Sequence, residues 1–151
     1  MIDLVLAIAH HVCVFTVAGL LVAEVALLRP GIAGLRIKQL TQIDLAYGIV
    51  AGLVIIVGIV RVNFGDKGAD YYVHNWAFWL KMTAFLAVGL LSLPPTLNFI
   101  RWRRELRSNP GFVPNDLVVG RMRAFFIAEI VGFALIIGFA AAMARGYGSM
   151  L

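Results

Sequence analysis

A chain of 151 residues that is 62% hydrophobic and 14% charged, with a mean hydropathy of +0.92, falls outside the range of water-soluble domains. Those run roughly 45–50% apolar and about 25% charged, and the surplus here would face water as one continuous apolar patch. The net charge of +5 would suit a nucleic-acid partner, but the placement of the basic residues points to a bilayer instead.

A spanning helix needs about 20 mostly apolar residues, and four segments qualify: about residues 2–28, 43–62, 76–99 and 123–144. Backbone polar groups in lipid must be satisfied within their own segment, so runs this long read as helices. The expected fold is all-α, an integral membrane four-helix bundle forming a single transmembrane domain over residues 1–151. The N-terminal run lacks a basic leading region, has Asp3 as its first charge and ends at Arg29-Pro30. It therefore reads as a retained helix and not as a cleaved signal. The single cysteine, Cys13, lies inside this run and can form no internal disulfide.

The connections carry turn chemistry: Pro30-Gly31 and Gly34, then Gly65 and Gly68, then Asn109-Pro110-Gly111 and Pro114. In the second span, Gly48 and Gly52 have the spacing that lets helix backbones approach closely, within the bundle or between protomers. In the third, Pro94 and Pro95 remove two amide donors and predict a kink or break, eased by the hydroxyls of Ser92 and Thr96.

Nine of the 13 basic residues fall in the first and third connections or beside them: Arg29, Arg36, Lys38, Arg101, Arg103, Arg104, Arg107, Arg121 and Arg123. Arg61, Lys67 and Arg145 lie on the other side, and Lys81 is within the third span. This asymmetry predicts that the first and third connections face the cytoplasm and that both termini lie outside. It also favours anionic-lipid contact over nucleic acid. Tyr71, Tyr72, Trp76 and Trp79 at one end of the third span, and Trp102 at the other, are expected as interfacial anchors.

Ionisable residues inside a membrane are functional candidates. On the outer half these are His10, His11, Arg61 and Lys81, with His74 in the adjoining connection. On the inner half they are Glu24, Asp44 and Glu129. The structural alternative for the acidic set is ion pairing with Arg29, Arg121 and Arg123, or helix capping. Adjacent histidines point about 100° apart on a helix, so at most one faces a given site. His10 is favoured because it shares the face of Glu24 at helical spacing.

A neutral imidazole at this depth can be an axial ligand to haem iron. That makes His10 the candidate metal ligand, with Arg61 and Lys81 as partners for the propionates and His74 or Met143 as the second ligand. No CxxCH motif occurs, so any such haem b would be non-covalent. No phosphate loop, HExxH or placeable Ser-His-Asp set is present.

The segments HHVCVFTVAGLLVAEVALLRPG, DLAYGIVAGLVIIVGIVRV, KGADYYVHNWAFWLKM and LLSLPPTLNFIRWRR together resemble the bacterial domain-of-unknown-function family 2214 over nearly the whole chain. That resemblance implies a four-helix inner-membrane protein without an assigned activity. His10 ahead of FTVAG, and Lys81 within FWLKM, are similar to paired elements of the HemJ-type protoporphyrinogen oxidases. The tryptophan of that family's first motif is replaced here, and no histidine follows along the third helix. A first-helix histidine ahead of a small-residue pair also resembles the CopD-like membrane domains. These likenesses imply haem or metal binding and a redox or tetrapyrrole-oxidising role. Two other functions stand beside that reading. One is an accessory or scaffold subunit working as a homo-oligomer or within a larger membrane complex. The other is a small proton-coupled carrier using Glu24, Asp44, Glu129 and His10.

Overall fold

The computed structural model describes residues 2–64 and 68–148. The expected turn residue Gly65 and the basic residue Lys67 lie outside the described residues. Helix α1 spans Ile2–Leu27, α2 Leu35–Phe64, α3 Gly68–Val73, α4 Trp76–Ser108 and α5 Asp116–Ala144. All but α3 are long and apolar enough to cross a membrane. The four alternate in direction. Asp3 at the start of α1 meets Arg61 near the end of α2 at 3.7 Å, and Tyr71 of α3 donates to the carbonyl of Met143 near the end of α5. At the opposite end Arg123 of α5 donates to the carbonyl of Leu28 just past α1. This second end, with most of the arginines, is called the arginine-rich end below.

The helices outrun the hydropathy signal at that end. α4 has 33 residues, about 50 Å at 1.5 Å per residue, against a hydrocarbon layer of about 30 Å. Hydropathy marks where lipid lies, whereas the helix continues wherever good helix formers and caps allow. α2 thus begins at Leu35, and Arg36 and Lys38 are helical and not part of a loop. α4 carries Arg101–Arg107 on its last turns and stops at the Asn109 cap, before Pro110-Gly111. In α5 the side chain of Asn115 accepts from the amide of Leu117 at 2.8 Å, starting the helix ahead of the apolar run. Gly31 (φ +73°) and Gly34 (φ +52°) make the sharp α1–α2 turn, where the Gly31 amide donates to Asp116 at 3.2 Å.

The Pro94-Pro95 pair does not break α4, which is continuous from Trp76 to Ser108. The Ser92 hydroxyl donates to Gly89 and the Asn98 amide to Pro94. Thr96 does not serve its own backbone; it reaches across to α2. Proline inside a membrane helix is tolerated where such polar groups and neighbouring helices accommodate the freed backbone.

α1 packs along α2, and α4 along α5; the two pairs meet mainly through α2 and α4. The tightest core lies towards the arginine-rich end and includes Leu28, Ile32, Ile37, Leu40, Phe99, Met122 and Phe126. Trp102 belongs to it, 4% exposed and 5.5 Å from the Phe99 ring. It is a core residue, not the exposed interfacial anchor expected, because the last turns of α4 still pack on their neighbours. Trp76 and Trp79, by contrast, are about half exposed. Apolar side chains such as Phe15, Ile56, Leu86 and Ile127 point outward, as they must where lipid is the solvent.

Candidate functional site

The most deeply placed charged residues are the acidic three. Glu24 of α1 is 1% exposed, Asp44 of α2 is 7% exposed and Glu129 of α5 is fully buried. They are near enough for their charges to act on one another. α1 brings Glu24 inward on the face that also carries Val17 and Leu21. α2 brings Asp44 and, one turn later, Tyr47 to the same interior. The Tyr47 hydroxyl donates to Oε2 of Glu129 at 3.1 Å. The Thr96 hydroxyl of α4 donates to Oδ1 of Asp44 at 2.7 Å. All four long helices therefore contribute to one polar layer.

Two carboxyl oxygens in this layer, Oε1 of Glu24 and Oε1 of Glu129, are buried and have no hydrogen-bond partner. The expected ion pairs are not formed. Among the described residues no lysine or arginine pairs with Glu24, Asp44 or Glu129. The arginines have other acceptors: Arg29 donates to the carbonyl of Ala26 and Arg123 to that of Leu28. The last carbonyls of a helix lack intrahelical partners and compete well for such donors. Nor is Asp44 a helix cap, because α2 starts well before it. Hydrogen-bond donors to this layer come from Tyr47, which did not stand out in the sequence, and Thr96, which stood out only as a hydroxyl beside the proline pair. A polar residue one helical turn from an intramembrane acid was the available signal for Tyr47; for Thr96 the sequence suggested a local backbone partner and not Asp44 of α2.

A second polar group lies nearer the opposite end. His10 is half-buried on the inward face of α1, with its ring 3.8 Å from where a Cβ on Gly58 of α2 would sit. Lys81 and Arg61 lie near enough for their charges to reach it. Its Nδ1 is buried and unpartnered. His11 turns outward and donates to the Ala7 carbonyl. The structure thus gathers His10, Arg61 and Lys81 and leaves His74 apart. His74 is exposed beyond α3, with its Nδ1 at 3.2 Å from Asp70 of the same turn. Among the described residues no group of three His, Cys, Asp or Glu side chains is arranged to hold a metal ion.

Between α2 and α4 runs a largely apolar groove of about 630 Å³. Asp44, Tyr47 and Thr96 lie along it, and Gly48 and Gly52 form part of its wall. Neither glycine has a neighbouring atom within 4 Å of an added Cβ, so this small-residue face does not pack against another helix of the same chain. The groove is where the acidic layer meets the outside of the bundle.

No curated protein and no solved structure matches the chain. The family described as predicted membrane protein (DUF2214) matches residues 2–148, and the chain belongs to that family.

Proposed function

We propose that the protein is a small proton-coupled membrane carrier in which Glu24, Asp44 and Glu129 bind and release the coupling protons. The observation that carries this reading is the set of three buried carboxyls from three helices, with two unpartnered oxygens and, among the described residues, no paired cation. Carboxylates in such a place are strongly destabilised unless they are neutralised, and protons neutralise them reversibly. Tyr47 and Thr96 hold two of the acids in fixed orientations. Asp44 borders the groove and gives the layer contact with the exterior. The His10–Arg61–Lys81 group supplies a cationic site at a different depth, suited to an anionic cosubstrate.

The test is proton flux into proteoliposomes carrying an entrapped pH-sensitive dye, under an imposed pH gradient. Wild-type protein acidifies the lumen. Glu129→Gln keeps an oxygen to accept from Tyr47 but holds no exchangeable acid proton, and lowers the flux about tenfold or more. Equal flux in wild type, Glu24→Gln and Glu129→Gln refutes the proposal.

A second reading retains the haem-b expectation, because the half-buried imidazole of His10 has an unpartnered ring nitrogen beside Arg61 and Lys81. On this reading His10 would supply one axial ligand, and Arg61 and Lys81 would pair with the propionates. Of the two candidates for the second ligand, His74 pairs with Asp70, which leaves Met143, near the end of α5. A reduced-minus-oxidised spectrum with a b-type Soret band that disappears in His10→Ala supports this reading, and a flat spectrum from haem-replete cells removes it.

A further inference from the structure

The α2–α4 groove continues at the arginine-rich end into a smaller pocket of about 280 Å³, lined by Thr41, Ile100, Arg103, Arg104 and Arg107. Thr41, Ile100 and Arg103 line both spaces. Arg103, Arg104 and Arg107 are exposed, and among the described residues none of them forms an ion pair. No acidic side chain lines the smaller pocket. One continuous channel therefore has three unpaired guanidiniums at its mouth and an apolar bed running towards the bundle centre, past Gly48, Gly52 and Phe85.

We infer that this channel is a binding site for an anionic phospholipid of the surrounding bilayer, with its phosphate on Arg103, Arg104 and Arg107 and one acyl chain in the groove. The planar fork of arginine matches phosphate oxygens in a bidentate way, and basic pockets between membrane helices suit anionic headgroups. Charge complementarity and the position of the bed directly beneath the arginines select an amphiphile over a free anion, which would use only the mouth. The absence of any side chain on Gly48 and Gly52 leaves the bed open. Asp44 of the acidic layer also borders this groove, but the inference does not depend on the carrier reading, because the arginines and the glycine wall carry it.

The test is native mass spectrometry of delipidated protein titrated with phosphatidylglycerol, phosphatidylcholine or inorganic phosphate. Phosphatidylglycerol binds with one tight site and phosphatidylcholine does not. The Arg103→Gln/Arg104→Gln/Arg107→Gln variant weakens the site about a hundredfold, each arginine contributing about fivefold. These side chains are exposed, so folding is not at stake. Gly48→Phe/Gly52→Phe, with the arginines intact, also lowers phosphatidylglycerol binding by blocking the bed. The inference is overturned if the two lipids bind alike or if the arginine variant retains the tight site. It is equally overturned if inorganic phosphate alone competes fully, or if the glycine variant binds normally. A wild-type dimer that Gly48→Phe/Gly52→Phe dissociates would assign the groove to a second copy of the chain and overturn it as well.

Discussion

The hydrogen bond between Tyr47 and Glu129 gives the acidic layer a measurable energy. Tyr47→Phe removes the hydroxyl that donates to Oε2 of Glu129 at 3.1 Å, and the ring remains to pack in the core. Since Oε1 of Glu129 is already without a partner, the variant leaves the whole carboxyl group unpartnered in a fully buried place. Hydrogen bonds between membrane helices contribute about 0.6–1.7 kcal/mol, and stranding a buried acceptor costs about 1–3 kcal/mol. A loss of about 1–2 kcal/mol is expected. Glu129→Leu loses a similar amount by stranding the tyrosine hydroxyl instead. The double variant removes both partners and recovers most of the loss, because two apolar groups of similar shape leave nothing unsatisfied. The double-mutant cycle should then show a coupling close to the sum of the two single losses, about 2–3 kcal/mol. Reversible unfolding in mixed micelles reads it directly; for a chain of this size 1 kcal/mol moves the midpoint by about 2–4 °C. Losses that simply add in the double variant would mean that the two side chains do not interact, and the reasoning about the layer would fail.

Three further outcomes follow from single contacts. A Cβ on Gly132 of α5 would lie 2.5 Å from Cγ2 of Val88 on α4, itself buried, so Gly132→Ala should destabilise by about 1–3 kcal/mol. Val88→Ala should restore most of that in the double variant, measured by the same unfolding assay. Gly148 has φ +92°, and a Cβ there would approach Oδ1 of Asn75 to 2.7 Å. Gly148→Ala should therefore detach the C-terminal segment from the start of α4, where the Gly148 carbonyl accepts from the Trp76 amide. Faster amide exchange at Trp76 and Ala77, with the arginine-rich end unchanged, would report it. Thr96→Val removes the donor to Asp44 and should lower stability by about 1 kcal/mol. On the carrier reading it should also alter proton flux without abolishing it, since Asp44 keeps its place but loses its fixed orientation.

Much of the architecture was legible in the sequence, because a bilayer demands long apolar segments and few sequences supply four by accident. The helix ends were less legible. Hydropathy stops at the hydrocarbon edge, so the polar first turns of α2 and the arginine-bearing last turns of α4 read as loops although they are helical. That misreading made Asp44 look like a cap when it lies well inside α2. It also placed Trp102 at the interface when the extended end of α4 buries it beside Phe99. The short helix α3, Gly68–Val73, read as part of a polar connection.

The acidic layer was found as three residues at similar depth but misjudged in its partners. Depth alone put Arg29, Arg121 and Arg123 beside the acids; the unpaired carbonyls at the end of α1 attract Arg29 and Arg123 instead. The donors Tyr47 and Thr96 could be assigned only once helix rotation was known, because each must face across an interface to reach its acid. Asn75 was missed for the same reason. It is fully buried, caps α4 through the Ala77 amide and donates to the Tyr147 carbonyl, a long-range contact with no local trace.

Infrared difference spectroscopy of the protein in lipid, recorded while bulk pH is stepped, tests the central claim most directly. The account predicts a carbonyl-stretch band from protonated carboxyls in a dry environment. It should change reversibly with proton exchange and lose a component in each of Glu24→Gln, Asp44→Asn and Glu129→Gln. A spectrum with no such band, or one unaltered by all three substitutions, would contradict the claim that these carboxyls bind and release protons.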